Sequence, residues 1–170
     1  MTVDALERIF AALNAAGVRY LVVGGVAVNA HGYQRLTQDL DLVLGLRRAN
    51  VLAALGALES LGYRPLLPVE AAAFADPAIR GGWVRQRNLQ VFSLVRENAA
   101  DVTVDIFATE PFDFETEYDA ALLAELAPGL PVRFLRLDAL IAMKEQAGRP
   151  RDVDDAEHLK QIRQELDDGE

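Results

Sequence analysis

Residues 35–44 read RLTQDLDLVL, two aspartates alternating with leucines in a segment otherwise suited to a protein core. On a β-strand, residues two apart share a face. The spacing therefore predicts a strand over 39–44. Leu40, Leu42 and Leu44 point inward, and Asp39 and Asp41 share the other face with Thr37 aligned behind them. The α-carbons of the two aspartates would lie roughly 6–7 Å apart. Carboxylates that close repel each other unless a cation or a basic side chain compensates.

A second segment repeats the arrangement. In DVTVDIF (101–107), Val102, Val104 and Ile106 form one face, and Asp101, Thr103 and Asp105 form the other. Asp105 stands between β-branched and aromatic neighbours, where strand propensity does not favour an acid. If this strand lies beside 39–44, Asp39, Asp41 and Asp105 converge. Such an oxygen-only donor set suits a hard cation like Mg²⁺, which binds carboxylates together with substrate phosphates. The alternative for Asp105 alone is ordinary polar alternation on a solvated face.

Upstream, YLVV (20–23) reads as a buried strand that runs into Gly24–Gly25 and a short helix of small residues closed by Gly32. Tandem glycine lets backbone N–H groups approach an anion closely, and a helix N-terminus favours phosphate. Either feature alone is common. A phosphate-type turn one helix ahead of a metal-type carboxylate pair is a more specific combination.

The rest of the chain fits one α+β domain spanning 1–170, with helices packed on a mixed sheet. Periodicity predicts helices over 3–16, 48–61, 115–126 and 137–147, and a last helix from Pro150 to about 166, with DDGE fraying after it. LQVFSLV (89–95) and DVTVDIF are expected to pair as an antiparallel hairpin across a polar turn, RENAA. The PGLP break leads into VRFL. Residues 63–88 are the least readable: a short helix near 69–75, then an exposed loop carrying Gly81–Gly82 with Arg80, Arg85 and Arg87.

Composition excludes several classes of function. The absence of cysteine removes disulfides, zinc–thiolate sites and thiol catalysis. A net charge of −9 argues against a general nucleic-acid coat, which needs phosphate neutralisation by Lys and Arg. The N-terminal segment is acidic and amphipathic, and no apolar run is long enough for a bilayer. The expectation is a cytoplasmic protein with no membrane partner.

Taken together, YLVVGGVAVNAHGYQRLTQDLDLVL (20–44) resembles the opening of the DNA polymerase β-like nucleotidyltransferase superfamily. The Arg-x-Thr-x-Asp-x-Asp form made by Arg35, Thr37, Asp39 and Asp41 is most similar to its small bacterial branch related to AbiEii and MenT toxins. MKEQAGRPRDVDDAEHL (143–159) resembles the same branch, in which a Lys precedes a Gly-Arg-x-x-Asp stretch and a closing helix. The resemblance covers residues 18–44, 101–107 and 137–160, and residues 63–88 match nothing in it. It implies the polymerase β-like fold, with a mixed or antiparallel sheet flanked by helices and the C-terminal helices (about 137–166) closing the site. It further implies that Gly24 and Gly25 hold a nucleoside triphosphate. Asp39 and Asp41 would bind two Mg²⁺ ions, with Mn²⁺ as a substitute, and Asp105 would act as third metal ligand or as base.

Five further residues complete the expected site. The chain has 15 arginines and two lysines, so Lys144, on the apolar stripe of its helix, is read as a phosphate ligand rather than a side chain snorkelling to solvent. Arg35 is expected to pair with the carboxylates, and Thr37 is either a site residue or strand-edge chemistry. Arg149 and Asp152 flank the start of the last helix. Asp152 and Asp155 both suit a helix N-terminus, and the resemblance favours Asp152 as the site residue, orienting Arg149 or Lys144. His31 is read as structural, bonded to a neighbouring loop, and His158 as lying on a polar helix face.

The expected function is transfer of a nucleoside monophosphate from an NTP to a hydroxyl of RNA (a tRNA end included), a protein or a small molecule. The resemblance also implies a toxin–antitoxin setting with a cognate antitoxin as partner. Two alternatives stand beside it: a non-catalytic relative that binds a nucleotide or a partner protein, and metal-dependent phosphodiester hydrolysis.

Overall fold

The structure, a computed structural model, describes residues 1–98 and 101–169. Part of the expected RENAA turn (residues 99 and 100) and the last residue of DDGE lie outside the described residues. The helices are α1 (Val3–Ala15), α2 (Gly24–Ala30), α3 (Arg48–Ser60), α4 (Pro77–Arg87), α5 (Phe114–Asp119), α6 (Leu137–Ala147) and α7 (Pro150–Asp168). The strands are β1 (Tyr20–Val23), β2 (Asp39–Leu44), β3 (Arg64–Pro65), β4 (Val91–Val95), β5 (Thr103–Phe107), β6 (Leu122–Ala127) and β7 (Leu130–Phe134). They form a single mixed sheet in the order β3-β4-β5-β2-β1-β7-β6.

The leucines of the opening stretch do what their spacing requires. Leu40, Leu42 and Leu44 are fully buried, and each such burial contributes about 1.5–3 kcal/mol. That is enough to hold β2 in place against repulsion among the acids on its other face. β2 pairs antiparallel with β1 and parallel with β5, so it is a central strand. Phe92 on β4, beside Ile106, stacks on Phe74 at 4.5 Å between ring centroids, and Tyr20 stacks on Phe10 of α1. The apolar side of the sheet is thus sealed by α1, α3, α4 and a 3-10 turn at Ala71–Ala75. α2 packs against β1 and β2 and contacts α6, which in turn packs along α7.

Two expectations are corrected. The helix expected over 115–126 stops at Asp119, and residues 122–127 form the edge strand β6, paired antiparallel with β7. ALLAELA has good helix formers throughout, but the Pro128–Gly129 turn, with Gly129 at φ +76°, folds it back onto β7, and pairing overrides propensity. The exposed loop expected after residue 75 is instead helix α4. Asp76 caps it by accepting from the Ala78 and Ile79 amides, Pro77 opens it, and Asn88 ends it in the left-handed conformation. Gly81–Gly82 sit inside that helix. Arg80 is buried, donates to the Phe74 carbonyl at 2.8 Å and lies over its ring, so it is a core residue and not a solvated one.

Candidate active site

β1 ends at Val23 and the chain turns into α2 through Gly24, at φ +65°. Val23 is the register partner of Asp41 on β2, and the Asp41 carboxylate lies against Gly24. A β-carbon built on Gly24 would stand 2.0 Å from Asp41 Oδ2. On Gly25 it would meet Thr37 Oγ1 at 2.6 Å and an Arg35 guanidinium nitrogen at 3.0 Å. The two glycines therefore form the seat into which Arg35, Thr37 and Asp41 fit. The turn and the Arg-x-Thr-x-Asp-x-Asp stretch are one packed unit.

On its other side Asp41 is flanked by Asp105, its register partner on β5, and Asp39 is flanked by Thr103. Burial, then the charges of Asp105 and Asp39, push the Asp41 carboxyl up to about 7, although Lys144 and Arg149 pull the other way. Asp105 is also raised. Burial is the main cause, opposed by a hydrogen bond from Ser93 Oγ to Asp105 Oδ1 at 2.6 Å and reinforced by Asp39. The strand pairing expected between 39–44 and 101–107 is thus present and sets Asp41 beside Asp105, with Asp39 two residues along β2. Among the described residues no three acidic or histidine side chains are gathered tightly enough to hold a metal ion by themselves. Hard cations commonly take one or two protein carboxylates and complete their shell with water and substrate phosphate, and the excess negative charge around Asp41 is what such a cation relieves.

Facing these acids is a chain of ion pairs that ties three segments together. Arg35 grips Asp155 with two parallel bonds, Nε to Oδ1 at 2.6 Å and the guanidinium NH2 to Oδ2 at 2.8 Å. Lys144 lies 2.9 Å from Asp155 Oδ2 and 3.1 Å from Asp152 Oδ1. Arg149 donates to the other Asp152 oxygen at 2.7 Å. Burial works to raise both carboxyls, but the bonds and charges of their cationic partners outweigh it and hold each below the usual carboxylate range.

Arg35 was expected to pair with the strand carboxylates. It pairs with Asp155 instead, because its guanidinium passes over Gly25 toward α7. Lys144 neither snorkels nor stands free: it is buried between two aspartates. Asp152 contacts both Arg149 and Lys144, as expected. Thr37 Oγ1 lies 3.4 Å from the Asp39 carbonyl and packs on Gly25. His31 Nε2 bonds the Leu135 carbonyl at 2.7 Å, the structural contact expected of it. His158 does more than lie on a polar face: it stacks on Tyr33 at 3.9 Å with the rings 2° from parallel, and Tyr33 donates to Asp154. The sequence reading passed over Asp155 in favour of Asp152 and did not single out Ser93. Asp155 shares a helix face with Asp152 at i,i+3 spacing. Ser93 gives no signal until the β4–β5 register places it opposite Asp105.

No protein-family model and no curated protein matches the chain in sequence. Solved structures match it in fold. The crystal structure of ANT(2″)-Ia in complex with adenylyl-2″-tobramycin superposes with a TM-score of 0.56 at 16% identity, over 98% of this chain and 97% of that one. The solution structure of the antibiotic-resistance factor ANT(2″)-Ia gives 0.57 at 21% identity, over 96% and 83%. The chain has the nucleotidyltransferase fold. The likeness extends over nearly the whole length of this chain. Among the described residues no helix is long and apolar enough to cross a membrane.

Proposed function

We propose that this protein is an enzyme that transfers a nucleoside monophosphate from an NTP to a hydroxyl group, with Mg²⁺ or Mn²⁺ as cofactor. The observation that carries the reading is Asp41, seated on Gly24 and placed directly beside Asp105 by the parallel β2–β5 register. Two mutually repelling, half-buried carboxylates on central strands are unfavourable for the fold alone and suit a site built for cations. One or two of Asp39, Asp41 and Asp105 would hold each metal ion, with water and substrate phosphate completing its shell, and the bound metal would neutralise phosphate charge and lower the barrier to attack at the α-phosphorus.

The protein's own groups then divide the work. The backbone at Gly24 and Gly25 lets the triphosphate approach closely, with Lys144 and Arg149 supplying positive charge on its other side. Asp105 accepts the proton of the acceptor hydroxyl. The acceptor oxygen forms a bond to the α-phosphorus, the α–β bridging bond breaks, and pyrophosphate leaves. Asp152 orients Lys144 and Arg149.

For the acceptor, the net charge of −9 disfavours RNA, and the fold neighbour carries an adenylylated small molecule. We therefore favour a small polyhydroxyl acceptor, cationic rather than anionic, over RNA or protein, and a stand-alone enzyme over a toxin with its antitoxin. The test is incubation with Mg²⁺, each α-³²P-labelled NTP and, separately, aminoglycosides, bulk RNA and lysate protein. Label transfer with pyrophosphate release is expected for wild type and not for Asp41→Ala. Binding of NTP with no transfer to any acceptor class would favour the non-catalytic alternative, and NTP-independent phosphodiester cleavage would favour hydrolysis.

A further inference from the structure

We infer that Asp155 is a positioning residue that fixes Lys144 and Arg35 in the geometry the nucleotide requires; the inference rests on the nucleotidyl-transfer reading above. Asp155 is completely buried, and a buried carboxylate is tolerated only when its charge is paired and its oxygens are bonded. All of its bonding goes to two cations that face the site. Arg35 spans both oxygens, while Lys144 shares Oδ2. The remaining guanidinium nitrogen of Arg35 donates to the Leu36 carbonyl at 3.0 Å and stands over Gly25. Asp155 thereby fastens α7 to the second glycine of the turn and to the lead-in of β2.

Its hold on Lys144 is equally directional. A lysine ammonium is a point charge on a flexible stem with three donors. Asp152 and Asp155, on one face of α7, take two of them, which aims the third. Because Asp152 is also gripped by Arg149, a shift of Asp155 would release Lys144 toward Asp152 and loosen the whole cationic wall.

Charge counting makes the inference decidable by sign. Arg35, Lys144 and Arg149 against Asp152 and Asp155 leave a net charge of plus one. Removing the charge of Asp155 makes it plus two, and Coulomb attraction alone would then tighten binding of a triphosphate. Loss of positioning predicts the opposite.

The experiment is equilibrium binding of the α,β-methylene analogues of the four NTPs with Mg²⁺ to wild type, Asp155→Asn, Lys144→Met and the double variant, each checked for folding by circular dichroism. Asp155→Asn should weaken the preferred analogue by about ten-fold, within the range for residues of one ion-pair network. In the Lys144→Met background its effect should shrink to the part that acts through Arg35. Tighter or unchanged binding by folded Asp155→Asn, or equal losses in both backgrounds, overturns the inference while leaving the proposed function intact. Wild type that binds none of the four analogues overturns both. If Asp155→Asn does not fold, Arg35→Lys carries the test. It keeps the charge but breaks the two-bond grip on Asp155, and should likewise weaken binding more when Lys144 is present than in the Lys144→Met background.

Discussion

Asp41 rests its carboxylate on Gly24 so closely that a β-carbon there would stand 2.0 Å from Oδ2. Gly24→Ala therefore has two effects, strain at φ +65° and displacement of Asp41. Gly17, at the end of α1, separates them: it has nearly the same φ, +67°, and a β-carbon on it would meet nothing within 4 Å. Each alanine should cost about 1–2 kcal/mol from left-handed strain, read as a Tm lowered by about 2–8 °C. Only Gly24→Ala should also lose transfer activity, by about 100-fold, the usual consequence of an ångström-scale misplacement. Equal kcat/KM in the two variants would show that Gly24 is there for backbone shape alone.

Asp41→Asn should abolish transfer and stabilise the metal-free protein. Asp41 titrates near 7 in the folded chain, against an ordinary value of 3.8, because of burial and the Asp105 and Asp39 charges. Between those values the folded state holds a proton that the unfolded state has released, so wild-type stability falls as pH rises through the window. The amide has no such dependence. In EDTA its Tm should match wild type near pH 4 and exceed it by a few degrees, about 2–6 °C, at pH 8. Mg²⁺ with NTP should raise the wild-type Tm in a concentration-dependent way and raise the variant less. Identical melting curves at pH 8 would mean that the acids at this site do not strain the fold.

The strand acids stood out in the sequence for a simple reason: Asp39 and Asp41 at i,i+2 in an apolar strand, and Asp105 among β-branched and aromatic neighbours, have no local explanation. Strand bounds at 20–23 and 39–44 also followed directly, the first from a short apolar run ended by Gly24 and the second from alternation ended by Gly45. What was illegible is what depends on distant partners. LLAELA reads as helix until its neighbour VRF is known to lie beside it. Asp155 reads as a dipole-compensating acid until Arg35, 120 residues away, is found on it. α4 was hidden differently, because Gly81–Gly82 mask a helix whose true signals are the Asp76–Pro77 start and the Asn88 stop.

The α7 ion pairs should give the protein an acid limb. The folded-state carboxyls of Asp152 and Asp155 lie below their ordinary value, held there by Arg149, Lys144 and Arg35 against the opposing effect of burial. A depressed carboxylate contributes stability above its unfolded pKa and loses it as pH falls through the folded one. These two carboxylates supply a share of the urea midpoint, read as the difference between wild type and Lys144→Met. That share should hold from about pH 6 to the ordinary carboxylate range and decline below it, against the opposite trend set by Asp41 and Asp105. Lys144→Met, which removes one of the stabilising cations, should therefore lower the midpoint more on that plateau than below it. A steeper acid limb in the variant would contradict the assigned direction.

Ser93 supplies the last prediction. Its hydroxyl donates to Asp105 Oδ1 at 2.6 Å from the neighbouring strand, leaving the second carboxylate oxygen for the chemistry. The bond does two things: it fixes the Asp105 rotamer and offsets part of the burial that raises this carboxyl. Ser93→Ala keeps the strand and its apolar partners, so the fold should lose little, of the order of 1 kcal/mol for one hydrogen bond. Turnover should fall more, about ten-fold, because a mis-set base is felt in the transition state and not in the ground state. That pattern is a lower kcat at nearly constant KM for NTP, with Ser93→Thr restoring most of the rate because it keeps the hydroxyl on a residue suited to a strand. A loss confined to KM would place Ser93 with the nucleotide-binding groups instead, and no loss at all would mean that Asp105 is oriented by its strand alone.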